Sequence, residues 1–305
     1  MVSIVTKKIK SIEYIYLVDS LRKNGKVIQK TIKYIGRKRP VLMEEFECMK
    51  LSYKRKDWIL NKFEDELSYK DHAQMKQCSD GYKKYIDGLD SVSKEKLREK
   101  FLSVFIANSN AIEGSSLTIK DTTNYLFRDI VPKGYRKKEL FMASNLLKAW
   151  NYVEENKIRL PNHKDLLKLH ELVNKDIEDD ETLGKLKEVQ NYIGDVYTTS
   201  YLFVEERMDA LLSWIKKAFA EVDDFEVAFQ SHAQFEIIHP FVDGNGRVGR
   251  LLLNWLLMYK GLMPLAIHVN KREDYITALN NSRKGIVETI CVFCFKEYTY
   301  QYKQM

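Results

Sequence analysis

Residues 239–250 read His-Pro-Phe-Val-Asp-Gly-Asn-Gly-Arg-Val-Gly-Arg, and an apolar run over 251–259 follows at once. Residues 225–238, just before it, carry Phe225, Ala228, Phe229, Phe235 and Ile238 at helical spacing. The stretch therefore reads as a short loop between two long buried helices. A loop that opens a helix is an anion site, because the first backbone N–H groups lack partners and the helix dipole points at the ligand. Gly244, Asn245 and Gly246 supply a close-approach amide loop, with Gly249 in the same phosphate-binding set. Arg247 and Arg250, at i,i+3, bring two guanidinium groups to one polyphosphate. Asp243 offers the single carboxylate that suits Mg²⁺ shared with waters and phosphates. His239 is a candidate general base. Pro240 after it is expected to push it into an extended conformation.

A His-Pro pair or an Asp-Gly-Asn-Gly turn alone is usually structural; their combination with two arginines and a long apolar helix is what points to nucleotide chemistry. Residues 244–249 also fit G-x-G-x-x-G. That fingerprint requires a preceding strand and an acid about 20 residues on, and both are missing, so the dinucleotide fold is excluded. No Gly-Lys-Ser/Thr follows, which excludes a Walker loop.

The chain has 305 residues, 45% hydrophobic and 30% charged, enough for one large core with smaller attachments. No run of about 18 uninterrupted apolar residues predicts a membrane span, and the opening residues lack a signal-peptide core. The reading is cytoplasmic. Four cysteines do not suggest a disulfide framework, and the Cys291/Cys294 pair lies in an apolar helical context that favours burial over zinc.

The net charge of +7 is uneven: residues 1–40 hold eleven Lys or Arg against two acids, +9, and the other 265 residues sum to −2. Strand signals occur at 12–19 and 27–35, joined at Asn24-Gly25, with 2–7 as a third strand. With Tyr14, Tyr16 and Tyr34 this basic meander could bind nucleic acid, although a solvated lysine-rich face that protects sheet edges is favoured. Beyond it, a polar helical segment over 41–95 breaks at Asp80-Gly81 and 87–93, as a helical linker or extension. Helices are expected over 96–112, 119–127, 136–156, 163–176, 208–222, 274–282 and 286–298, with strand or flap character between 184 and 204.

The string at 239–250 resembles the signature of the Fic (filamentation induced by cAMP) family, H-P-F-x-[DE]-G-N-G-R-x-x-R, and matches every defined position. Ser109 to Gly114, Ser-Asn-Ala-Ile-Glu-Gly, is similar to the family's inhibitory motif [ST]-x-x-x-E-[GN], placed N-terminal to the signature as in the class with an internal inhibitory helix. Residues 184–194 resemble the target-docking flap, with Lys187 where the resemblance leads one to expect arginine, then Gln190, Asn191, Tyr192, Ile193 and Gly194. Residues 262–264 and 275–279 also resemble the stretch after the signature, so the likeness covers about 100–295.

The resemblance implies a mainly α fold, a Fic-type helical bundle with a small β flap over 96–305, preceded here by the short N-terminal β-meander. It implies transfer of AMP from ATP to a protein hydroxyl of Ser, Thr or Tyr, on a target or on the chain itself. In that scheme His239 is the base, Asp243 holds Mg²⁺, the 244–246 loop cradles the α- and β-phosphates, Arg247 serves the β side and Arg250 the γ-phosphate. Phe241 is a buried anchor. Glu113, with Ser109 and the helix cap Gly114, inhibits by pairing with Arg250, in one bond or two. Two alternatives stand beside this: removal of AMP with Glu113 as the base on water, and a nucleic-acid-associated regulator acting through residues 1–40. Assembly with a second copy is left open.

Overall fold

The computed structural model describes residues 1–303 apart from Gly25, Asn61 and Asp195. Three antiparallel strands open the chain: β1 (Val2–Ile9), β2 (Ile12–Lys23) and β3 (Lys26–Arg37), in the order β1-β2-β3. Asn24 takes the left-handed conformation that the hairpin needs (φ 51°); Gly25, the other half of the expected turn, lies outside the described residues. The strands run longer than their β-branched cores because lysines and arginines extend them as an exposed ribbon. Leu17 faces inward and packs with Met49 and Phe203.

Helices follow: α1 (Met43–Tyr53), α2 (Tyr69–Asp87), α3 (Ser91–Ile112), α4 (Ile119–Phe127), α5 (Lys137–Asn156) and α6 (His163–Asn174). A two-stranded hairpin, β4 (Tyr192–Ile193) and β5 (Val196–Tyr197), precedes α7 (Val204–Ala218), α8 (Asp224–Ile238), α9 (Asn245–Tyr259), α10 (Arg272–Arg283) and α11 (Glu288–Tyr302). The fold is mainly α, with the meander at one end. Caps set the helix starts: Ser68 and Asp71 form a reciprocal capping box on α2, and Asn162 and Asp165 do so on α6.

Two expectations about the 41–95 stretch change. Helix α2 runs straight through Gly81, whose backbone is helical and whose Cβ position is open, so the glycine costs propensity (about 1 kcal/mol) without breaking the helix. The expected break over 87–93 is present between α2 and α3, and a further interruption falls at 54–60 and 62–68. There the Glu226 carboxylate accepts the N–H groups of Glu66 (2.8 Å) and Leu67 (2.7 Å), and Gln234 donates to the carbonyl of Asp57 (3.0 Å). Trp58, Leu60 and Met75 share the main core with α8 and α9.

Those two helices are the centre of the molecule. Every residue of α8 after Asp224 is buried, and α9 is buried from Arg247 to Leu257. Around them pack α3, α5, α6, α7, α10 and α11, so the loop 239–244 that joins them is anchored at both ends in the buried core. No helix among the described residues is long and apolar enough to cross a membrane.

Candidate active site

His239 is not extended. It ends α8 in the left-handed conformation (φ 51°, ψ 62°), donating its N–H to the Phe235 carbonyl at 2.9 Å. The helix-end bond outweighs the bias imposed by Pro240, and a non-glycine residue is held in a strained region at the proposed base. Burial, with the cations of Lys187 and Arg283 nearby, holds the imidazole well below its ordinary pKa, so it is neutral at pH 7. Its Nδ1 is buried without a partner and lies 3.9 Å from Glu236 Oε2.

Phe241 is fully buried and stacks on His170 at 4.1 Å between centroids, anchoring the loop as expected. Asn245 does not present its side chain to a ligand. Its Oδ1 accepts from Phe241 N–H (2.9 Å) and its Nδ2 donates to the Phe241 carbonyl (2.8 Å), clamping the loop on itself. What faces outward is backbone: the first-turn N–H groups of Asn245, Gly246 and Arg247 have no acceptor among the described residues. Gly244 caps the helix in the left-handed region (φ 74°), and a Cβ there would meet the Asn174 side chain at 2.5 Å. Gly249 departs from its expected role. It faces the interior, where a Cβ would lie 2.4 Å from Glu236 Oε1.

Arg250 is buried and fully engaged. Its Nε donates to Ser109 Oγ (2.9 Å), and Nη2 donates to the Ser109 carbonyl (2.8 Å) and to Glu113 Oε1 (2.8 Å). The bond to Glu113 is single rather than forked. Burial works against the guanidinium charge, and Glu113 more than offsets it, raising the pKa. Glu113 reaches this position because α3 ends on a Schellman motif: Gly114 (φ 93°) donates to Ala111 and Ser115 donates to Asn110. The carboxylate lies directly over Gly246, where a Cβ would be 2.2 Å from Oε1. Glu113, Asp243 and Arg247 line a cavity of ≈ 170 Å³ with Arg136, Lys138 and Glu139.

Asp243 is exposed at the rim of that cavity. Oδ1 accepts from the Gly244 N–H (2.7 Å), which leaves Oδ2 open apart from Arg247 at 3.8 Å. One open carboxylate oxygen beside a cavity lined by both acidic and basic side chains fits Mg²⁺, which keeps most of its waters. Arg247 is held by Asn174 Oδ1 at 2.9 Å, a contact the sequence did not signal.

The flap hairpin lies beside the loop. Lys187 N–H donates to the Pro240 carbonyl (2.9 Å) and Asn191 Nδ2 to that of Phe241 (2.8 Å), so flap and loop are fastened together. The Lys187 amine points inward, bonding Asn191 Oδ1 (2.6 Å) and Thr198 Oγ1 (2.9 Å), and burial pulls its pKa down to about 7. It is a strut rather than a phosphate contact. Gln190 joins the same cluster, Gly194 turns the hairpin (φ 56°), and Tyr192 is exposed on its surface with Ile193 beside it.

The pair Cys291 and Cys294 is buried and free. The one group with metal-like spacing among the described residues, Asp65, His72 and Glu226, spends its Glu226 oxygens on backbone N–H groups and on His72 (2.8 Å), a structural knot.

Fold and site together define a helical-bundle protein whose α8–α9 loop exposes free backbone N–H groups beneath the paired side chains of Glu113 and Arg250. Residues 160–257 match the Fic/DOC family model, and the chain carries a Fic domain. Among curated proteins it is similar to the protein adenylyltransferase Fic of Nematostella vectensis, 30% identical over 192 residues, covering 62% of this chain and 45% of that protein. It is also similar to protein adenylyltransferase fic-1 of Caenorhabditis briggsae, 27% identical over 194 residues, 62% and 38% covered. The chain thus spans less than half the length of these relatives. Of solved structures, Fic-1 (residues 134–508) from C. elegans shares the fold at a TM-score of 0.67, with 23% identity over 77% of this chain and 71% of that one. A Fic-domain signalling protein of Bacteroides thetaiotaomicron does so at 0.66, with 22% identity over 75% and 97%.

Proposed function

We infer that this protein is an autoinhibited protein adenylyltransferase that moves AMP from ATP to a Ser, Thr or Tyr hydroxyl, on a target or on itself. The observation that carries the reading is the Glu113–Arg250 pair laid across Gly246, over an otherwise intact anion loop. In the transfer, neutral His239 takes the proton from the target hydroxyl. The oxygen forms a bond to the α-phosphorus as the α–β bridging bond breaks, and pyrophosphate leaves. The free N–H groups of 245–247 receive the phosphates, and Arg247, fixed by Asn174, neutralises charge beside them. Asp243 is the residue that would hold Mg²⁺, which when bound supplies charge neutralisation to the phosphate oxygens.

Inhibition follows from competition. Arg250 cannot serve both the Glu113 carboxylate and a γ-phosphate, and the carboxylate also adds negative charge where the phosphate would lie. The flap, fastened to the loop at Pro240 and Phe241, is positioned to set an extended target segment beside His239.

The test uses α-labelled ATP. Glu113→Gly is expected to label protein. Glu113→Gly with His239→Ala should abolish labelling while retaining nucleotide binding, because amides and arginines remain. Binding lost in step with labelling would make His239 structural and contradict its role as base.

A further inference from the structure

Helix α8 carries a carboxylate that no phosphate contact uses. Glu236 lies one turn before His239, on the same side of the helix, and is 5% exposed. Its Oε2 stands 3.9 Å from His239 Nδ1, and both that nitrogen and Glu236 Oε1 are buried without partners. Buried polar atoms are normally paired. Here a nitrogen that can donate faces an oxygen that can only accept when ionised, across a gap one side-chain adjustment can close. Contacts of this kind tighten when a site is filled. The His239 side chain keeps 17% of its surface exposed while Nδ1 is enclosed, which leaves Nε2 as the ring nitrogen towards the cleft.

The sequence makes room for this carboxylate. Gly249 sits inside α9 with ordinary helical backbone, where glycine costs about 1 kcal/mol relative to alanine. Its φ needs no glycine. Its missing side chain does: a Cβ would stand 2.4 Å from Glu236 Oε1 and 3.1 Å from His232 Nδ1. The family signature leaves this position open, so the glycine answers to this chain's own Glu236.

We propose that Glu236 is a positioning residue for His239: its carboxylate accepts the Nδ1 proton, fixes the Nδ1–H tautomer, and leaves the Nε2 lone pair facing the cleft as the base. The placement of the tautomer stands on geometry; its use in catalysis rests on the transfer reading above. A carboxylate behind the imidazole also stabilises the imidazolium formed as the hydroxyl is deprotonated, the division of labour known from serine-protease triads. The surrounding charges make that partner matter. Lys187 on the flap and Arg283 on α10 oppose a cationic ring, Arg250 on α9 acts on Glu236 and His232, Tyr275 and His232 are neutral neighbours, and Glu113 at the end of α3 lies beyond Gly246. Burial pushes the Glu236 carboxyl up to about 7, while Arg250 and Arg283 pull it down; a bond from Nδ1–H favours its ionised form further.

The experiment is ¹⁵N NMR of His239 in the full chain without nucleotide near pH 7.5, the signals assigned by their loss in His239→Gln. The wild type is expected to show a protonated Nδ1 and a bare Nε2. Glu236→Leu removes the acceptor, and Gly249→Ala displaces it sterically while keeping the charge; each should shift the ring towards the other tautomer. Thermal unfolding identifies which variants are folded. A folded variant of either kind that keeps the wild-type tautomer overturns the proposal, as does a wild type with the proton on Nε2. In the Glu113→Gly background, Glu236→Leu should lower kcat by on the order of 10²–10⁴-fold with little change in KM for ATP. Equal kcat in the two would also overturn it. If Glu113→Gly transfers nothing, the functional reading fails, and the tautomer result still decides the role of Glu236.

Discussion

Asn174 shows how one residue can govern a site from behind. It bonds Arg247 (2.9 Å), donates to the Asp243 carbonyl (3.3 Å) and occupies the space that only a glycine at 244 leaves free. Asn174→Ala should release Arg247 and loosen the loop. Losing a hydrogen bond to a charged group costs about 1.5–3 kcal/mol, so titration calorimetry of the Glu113→Gly form should show ATP affinity weakened by about tenfold or more. Unchanged affinity would mean that Arg247 is held by the loop alone. Asn174 was not legible beforehand, since a lone asparagine at a helix end reads as a cap. Its role exists only because α6 ends against the loop. His239, Asp243 and Arg250 were legible because their chemistry is contiguous in sequence. Glu113 was singled out by the resemblance of 109–114 to the inhibitory motif, and the left-handed Gly114 expected after it does end the helix there. Glu236 did have a local signal, the i−3 spacing to His239, hidden within an apolar helix.

At the level of elements, periodicity and caps carried most of the reading. The expected helix over 119–127 coincides with α4, and the flanking α8 and α9 follow their apolar spacing. Two features escaped. The irregular segment at 54–60 and 62–68 has no periodicity to read, because it is shaped by partners such as Glu226 and Gln234 about 160–180 residues away in sequence. The flap is also set at a distance: its strands are two residues each, and carbonyls of residues 240 and 241 hold it in place. Asn245 marks the limit of motif reading. Its position in the string is conspicuous, and only the folded loop shows that its amide is spent on Phe241 and leaves the first-turn backbone N–H groups free.

For the whole molecule, the buried histidines tie stability to pH. Burial lowers His232 to about 3, and His239 is lowered as well. Unfolded histidine titrates near 6.5. As pH falls below that value the unfolded chain takes up protons that the folded one refuses, so stability contributed by these groups is lost. Glu236 acts in the opposite sense, since a carboxyl raised to about 7 is protonated first in the folded state. Two histidines against one glutamate leave a net loss on the order of 2 kcal/mol between pH 7 and 5. Urea unfolding should show a lower midpoint at pH 5 than at pH 7, with His232→Phe reducing the difference; equal midpoints would contradict the assignment. The N-terminal sheet joins the same body where Leu17 on its inner face packs on Met49 and Phe203, while on its outer face Tyr34 contacts both Tyr14 and Tyr16.

The central claim is that Glu113 silences an otherwise complete transfer site by holding Arg250. The most direct measurement is intact mass of the full chain after incubation with Mg²⁺ and ATP, wild type beside Glu113→Gly. Release of one linked contact, worth about 1–3 kcal/mol, corresponds to roughly 5–150-fold in the population of the productive pose. The account predicts little added mass on the wild type and, on the variant, a species heavier by one AMP that is absent when Arg250→Ala is combined with it. Equal modification of wild type and variant would contradict the inhibitory pairing. Loss in the variant of an AMP-removing activity shown by the wild type would instead make Glu113 a base.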